Sequence, residues 1–184
     1  MNRKKKLVRR ARQGKPINQV AALPYRISAT GELEVLILTS RGTGRFIVPK
    51  GWPMKGLKNR DAAVREAVEE AGVTGVLGRT PMGNFNYWKR LKDTFVQVNV
   101  SVYPLHVERQ LKKWKERGER KRAWLKPQQA AVLVDEPALV SLLDSIAVLS
   151  LNHFTPHGAP RVSCASHWRR PRISRVTSRG NFQR

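Results

Sequence analysis

The stretch Arg65-Glu66-Ala67-Val68-Glu69-Glu70-Ala71-Gly72-Val73 constrains this chain more than any other. On an α-helix, Val64, Ala67, Val68 and Ala71 fall at i, i+3, i+4 and i+7 and make one apolar stripe. Glu66, Glu69 and Glu70 fall at i, i+3 and i+4, so three carboxylates crowd a second face. Like charges at those spacings destabilise a helix by about 0.2–0.5 kcal/mol per pair. A compensating positive group is required, and clustered hard oxygen donors suit Mg²⁺ or Mn²⁺. The competing reading is a solvated acidic face, but the chain holds only 13 acids, and a glycine loop precedes this helix. Pro49-Lys50-Gly51 places a flexible backbone beside the carboxylates, where a carbonyl can join them.

The surrounding pattern is extended. Val20 to Ile27 and Leu33 to Leu38 read as strands joined by a turn at residues 29–32. Phe46-Ile47-Val48 is a short strand that Pro49 ends, and residues 50–58 read as a loop. The helix is expected over Asn59 to Ala71, with Asn59 or Asp61 near its N-cap and Gly72 at its stop. Val73 to Val76 and Phe85 to Trp88 look like strands. Thr94 to Tyr103 alternates most clearly, through Val96, Val98, Val100 and Val102. A charged segment over residues 109–122 leads to a strand at residues 123–125, and helices are expected at Pro127 to Val134 and Pro137 to Leu149.

Charge separates the domain from its ends. The chain carries 36 Lys+Arg against 13 Asp+Glu, a net of +23. Residues 1–15 and 157–184 hold 15 of the basic residues and no acid, so residues 16–156 keep 21 against all 13 acids, a net of +8. The expected organisation is a basic arm over 1–16, a folded domain over 17–150 and a basic tail over 151–184, both ends without fixed structure. The arm begins like a signal peptide, but no apolar stretch follows, so secretion is rejected; a transit peptide is the lesser alternative. No apolar run is long enough to span a bilayer, and the expected location is cytoplasmic. The one cysteine, Cys164, excludes an intramolecular disulfide, and the four histidines suit no zinc spacing.

Residues 51–73 resemble the Nudix box, G-x5-E-x7-R-E-U-x-E-E-x-G-U with U aliphatic. Gly51, Arg65, Glu66, Glu69, Glu70, Gly72 and Val73 match in register, and Ala67 weakly fills the first aliphatic position. Leu57 stands where the pattern has its first glutamate, which in the family pairs with the arginine, here Arg65. The resemblance covers about residues 17–147. Its segments Ser40-Arg41 … Arg45 to Gly51 and Arg117 to Leu125 are similar to the diphosphoinositol polyphosphate and diadenosine polyphosphate phosphohydrolase branch.

The resemblance implies an α/β fold, an α/β/α sandwich around a mixed sheet with the box as a loop-helix-loop at the active site. It implies hydrolysis of a phosphoanhydride in a nucleoside- or inositol-diphosphate-linked substrate. Glu66, Glu70 and the Lys50 carbonyl are the implied metal ligands, for Mg²⁺ or Mn²⁺; Glu69, with Arg65 beside it, completes the site or takes the proton from water. Arg41, Arg45, Arg90, Arg120 and Arg122, with Lys50, Lys55 and Lys89, are candidates to contact a polyphosphorylated small molecule. Tyr87 and Trp88 are candidates to stack a base, against the plainer reading of core packing. Two alternatives stay open: an RNA 5′-pyrophosphohydrolase, and a weakened scaffold that binds nucleic acid through its basic ends. The oligomeric state is not legible.

Overall fold

The computed structural model describes residues 3–91 and 94–151, with side chains described for 5–91 and 94–146. The expected basic tail lies, beyond Leu151, outside the described residues.

Among the described residues, eight strands form one mixed sheet flanked by helices. Strands β1 (Asn18–Ile27) and β2 (Leu33–Thr39) make the expected antiparallel hairpin, with Tyr25 opposite Val35. The alternating strand is the centre of the sheet, and it runs further than its valines indicate: β7 spans Thr94–Gln110. Along one edge it pairs antiparallel with β6 (Gly83–Leu91) and then with β5 (Val73–Leu77). Along the other edge it runs parallel to β1, from Asn18 opposite Asn99 to Tyr25 opposite His106. Its polar second half, residues 106–110, is held by the ladder to β5, which local hydrophobicity does not announce.

Strands β3 (Phe46–Ile47) and β8 (Arg122–Leu125) both join β2. Residues Lys50–Gly51, expected in a loop, form β4 instead and pair with β1, Val20 opposite Gly51. All four of Val35, Leu36, Ile37 and Leu38 are buried, as in a strand covered on both faces. Phe85, Val98, Val100 and Leu105 complete the centre of the core. Each such side chain contributes about 1.5–3 kcal/mol by leaving water.

The box helix is α2 (Asn59–Glu66), which continues as a π-helical turn, Ala67–Ala71. Ala62, Ala63, Ala67 and Ala71 are fully buried. Four alanines let its backbone approach β1 and β4 closely, which brings the glutamates against the sheet. Its N-cap is Lys58, extended and without a side-chain cap bond, rather than Asn59 or Asp61. Gly72 ends it as expected, at φ 65. Helices α3 (Pro127–Leu133) and α4 (Pro137–Leu151) close the fold, with Leu139, Leu143 and Ile146 buried.

The N-terminal arm differs most from expectation. Residues Arg3–Arg12 form a helix, α1, and Leu7 is buried in the core cluster with Val8 packed against it. Lys and Arg are good helix formers, and one leucine suffices to dock the turn that carries it. Among the described residues no helix is long and apolar enough to cross a membrane.

Candidate active site

The π-helical turn sets the directions of the three box glutamates. Wider than an α-turn, it breaks the single acidic face that α-spacing predicts, and each carboxylate finds its own surroundings. Glu66 lies flat against the backbone of Gly51: a Cβ built on Gly51 would sit 2.0 Å from Glu66 Oε1. Among the described residues Glu66 accepts no hydrogen bond. Burial, then the charges of Glu70, Glu69 and Glu116, push its carboxyl up to about 7.

Glu70 is buried. One oxygen accepts the Lys50 backbone N–H at 3.0 Å, and the other accepts from Arg120 Nη2. Burial raises its pKa, and Arg120 opposes that shift. Arg120 also donates to Glu116 Oε2 at 2.7 Å and to the Thr39 carbonyl at 3.0 Å. Glu69 turns outward and accepts from Lys115 Nζ at 2.6 Å and Arg65 Nε at 2.7 Å. Those hydrogen bonds, Lys115 first, hold its carboxyl below the ordinary range. Leu57 is 42% exposed, so Arg65 has Glu69 where the family pattern supplies another glutamate.

Seven of the eight predicted cations divide into two sets, and Lys55 lines a separate groove with Trp52 and Pro53. Arg45, Lys50, Lys89 and Arg90 line an open cleft of about 660 Å³ together with Tyr87, Trp88 and Phe95. Lys50 Nζ lies 5.0 Å over the Tyr87 ring, and burial lowers its pKa to about 8. Arg45 lies over the same ring at 5.6 Å and pairs with Glu136 at 3.0 Å. Tyr87 is buried and donates to Gln19 at 2.8 Å, so it packs, as the plainer reading held; Trp88 is 65% exposed.

The other set supports the fold. Arg41 is exposed and pairs with Glu119 at 2.9 Å and Glu116 at 3.4 Å. Arg120 is sequestered between Glu70 and Glu116. Arg122 donates to the Ala71 carbonyl and stacks 4.2 Å over Trp114. It holds the end of the box helix, and it is not among the side chains that line the cleft.

Sequence reasoning passed over Glu116, Trp114 and Glu136. Glu116 is buried, and its spacing to Arg120 (i, i+4) is the one local signal. Trp114 packs on Gly72 so closely that a Cβ there would lie 2.4 Å from its ring. Glu136 is buried before α4 with neither carboxylate oxygen hydrogen-bonded; nothing local marks it.

Among the described residues, no three His, Cys, Asp or Glu side chains converge as a ready-made metal cage. The donor set still fits a hard divalent cation: Glu66 is unbonded, burial and then three acidic neighbours raise its proton affinity, and Gly51, lacking a Cβ, leaves the space its carboxylate fills.

The NUDIX domain model matches residues 18–144, so the chain belongs to the Nudix family and carries a domain of the pyrophosphohydrolase class. It is 32% identical to "Nudix hydrolase 18, mitochondrial" of Arabidopsis thaliana over 72% of this chain and 79% of that one. It is 37% identical to "Diphosphoinositol polyphosphate phosphohydrolase 3-beta" of Bos taurus over 61% of this chain and 65% of that one. Of other curated relatives it spans 56–63% of the length. In fold it is similar to the crystal structure of C. elegans Ap4A hydrolase, with a TM-score of 0.53, 22% identity, and coverage of 73% of this chain and 98% of that one. The plant relatives' names carry "mitochondrial" or "chloroplastic", and nothing in the comparisons supports the cytoplasmic expectation.

Proposed function

We propose that the chain is a divalent-metal-dependent hydrolase that cleaves a phosphoanhydride in a diphosphoinositol or dinucleoside polyphosphate type of substrate. The observation that carries this reading is the unbonded Glu66 carboxylate, with three acids acting on it and pressed on Gly51, which is next in sequence to Lys50 of the cationic cleft. Glu66, Glu70 and the Lys50 carbonyl would hold Mg²⁺ or Mn²⁺. When bound, that ion neutralises phosphate charge and makes water acidic enough to attack near neutral pH.

The protein's own groups supply the rest. Arg45, Lys50, Lys89 and Arg90 bind and orient the polyphosphate, Arg45 with the bidentate geometry that phosphate favours. Arg120 fixes Glu70 by a charge-assisted hydrogen bond, so the ligand is positioned before substrate arrives. Glu69 is the acceptor for the water proton, and Arg65 and Lys115 stabilise its anionic form. Arg65 and Lys115 engage one lone pair on each oxygen, so the remaining lone pairs are available to that proton.

The test is a hydrolysis screen of the purified chain against diphosphoinositols, dinucleoside polyphosphates, NADH, ADP-ribose and 5′-triphosphate RNA, with Mg²⁺ and with chelator. Turnover of one of the first two classes that chelation abolishes supports the proposal. Inertness toward every phosphoanhydride, or turnover that survives chelation, overturns it.

A further inference from the structure

A second groove lies beside the catalytic cleft, between α1 and the loop that follows β4. Lys6, Arg10 and Lys55 line it, over a floor that includes Leu7, Trp52 and Pro53. No carboxylate lines it. On α1 and the turn after it, Lys5, Lys6, Arg9, Arg12 and Lys15 are all exposed, and among the described residues none forms an ion pair. Their charge is uncompensated, unlike that of Arg41 and Arg65, which pair with acids.

We infer that this groove binds a single strand of nucleic acid, with Lys6 and Arg10 on its phosphates and Trp52 offering a ring to an unstacked base. Lys6 and Arg10 stand one turn apart (i, i+4), so they present two charges on one face. Trp52 lines the groove one residue after Gly51, and Lys89 Nζ, which belongs to the catalytic cleft, lies 5.9 Å over its ring. The two grooves therefore meet at Trp52. A strand whose end lies in the cleft continues along α1 without leaving cationic surface.

The chemistry selects against other polyanions. A membrane-surface helix needs an apolar face turned outward, whereas both apolar side chains of α1 in its middle, Leu7 and Val8, face the core. A duplex hides its base faces, so only a single strand has a use for Trp52. The inference does not depend on hydrolysis, because α1 is outside the proposed catalytic set.

The experiment is fluorescence anisotropy with the full chain and a labelled 20-nucleotide single-stranded RNA, without divalent metal, between 50 and 200 mM KCl. The double variant Lys6→Glu/Arg10→Glu should bind at least tenfold more weakly. Its salt slope should fall by about 1.4, two phosphate contacts at about 0.7 each. Trp52→Ala should also weaken binding, and Trp52→Phe should restore most of it, as stacking requires. Metal-dependent turnover of a small substrate by the double variant should stay at the wild-type level, which separates this inference from the proposed activity. Wild-type affinity and slope in the double variant overturn it, leaving RNA to the other basic segments. So does equal affinity for a 20-base-pair duplex that ignores Trp52. Loss of binding to phosphatidylserine vesicles with RNA binding untouched overturns it as well.

Discussion

Arg120 donates a hydrogen bond to Glu70 from fifty residues away in sequence, and both side chains are more than nine-tenths buried. The pair joins the approach to β8 to the box helix, and Glu116 sits on the far side of the same guanidinium. A proposed metal ligand is thus also half of a buried ion pair.

Glu70→Gln should therefore cost both activity and stability. Turnover with Mg²⁺ should fall by at least about 10²-fold, because the change removes an anionic ligand of the proposed cation, whose charge neutralises the phosphate. Simple α-spacing argues that deleting one of three like charges stabilises the helix by a few tenths of a kcal/mol. The buried Arg120 reverses that sign: with a weaker partner it should lower unfolding free energy by about 1–3 kcal/mol. Urea melts without metal read the second effect, and an unchanged melt would show that Glu116 alone satisfies Arg120.

Gly51→Ala should separate the same two properties. The new Cβ collides with the end of the Glu66 side chain, which can swing away, so stability should change by less than about 1 kcal/mol. Glu66 displaced by an ångström or more should lose about 10²-fold in turnover. Wild-type kinetics in this variant would remove Glu66 from the reacting centre.

Leu57→Glu supplies the carboxylate that the family pattern has and this chain lacks. Leu57 is exposed, so the change is tolerated, and the new charge competes with Glu69 for Arg65. Steady-state turnover with Mg²⁺ should move by less than about tenfold. An inert wild type that this single change switches on would make the natural chain a binding scaffold.

Arg45→Ala should raise KM more than it lowers kcat, if its phosphate contact is equal in ground and transition states. It should also strip Glu136 of its ion pair and leave a buried, uncompensated carboxylate, at a cost of about 3 kcal/mol near neutral pH. Burial already raises the pKa of Glu136, and Arg45 opposes that rise; removing Arg45 raises it further. The folded state then holds its proton more tightly than the unfolded chain, so the deficit grows as pH rises through the folded pKa and shrinks as pH falls. Melting temperatures of variant and wild type should converge from pH 7 toward pH 4.5. A constant gap would place Glu136 outside the effect.

The strands were legible where side chains alternate or run apolar, as at Val96 to Val102 and Val35 to Leu38, because burial of one or both faces writes itself locally. The glycine stop at Gly72 was legible because only a residue tolerant of positive φ ends a helix that way. What escaped were features decided by distant partners. Residues 106–110 extend because β5 pairs with them, Lys50–Gly51 because β1 does. Lys58 takes the N-cap with no side-chain cap bond, so no capping side chain marks the start. Arg120 and Arg122 looked like surface cations, and only the three-dimensional position of Glu70, Ala71 and Trp114 turns them inward. The three glutamates were singled out by their spacing, but their separate surroundings were not, since nothing in that spacing reports a hydrogen bond skipping one residue further.

That longer step makes helical phase a variable of this site. Each residue of an α-helix advances about 100° around the axis, and the π-turn at Ala67–Ala71 takes up extra backbone just before the helix meets Gly72. Glu66 is oriented by the regular turns ahead of it, whereas Glu69 and Glu70 are oriented by the irregular one. The two groups can thus be re-aimed independently: a change of register after Glu66 rotates the outward and buried carboxylates together while leaving the Gly51 contact in place. A chain built this way can alter how a cation is gripped without disturbing where the helix rests on its sheet.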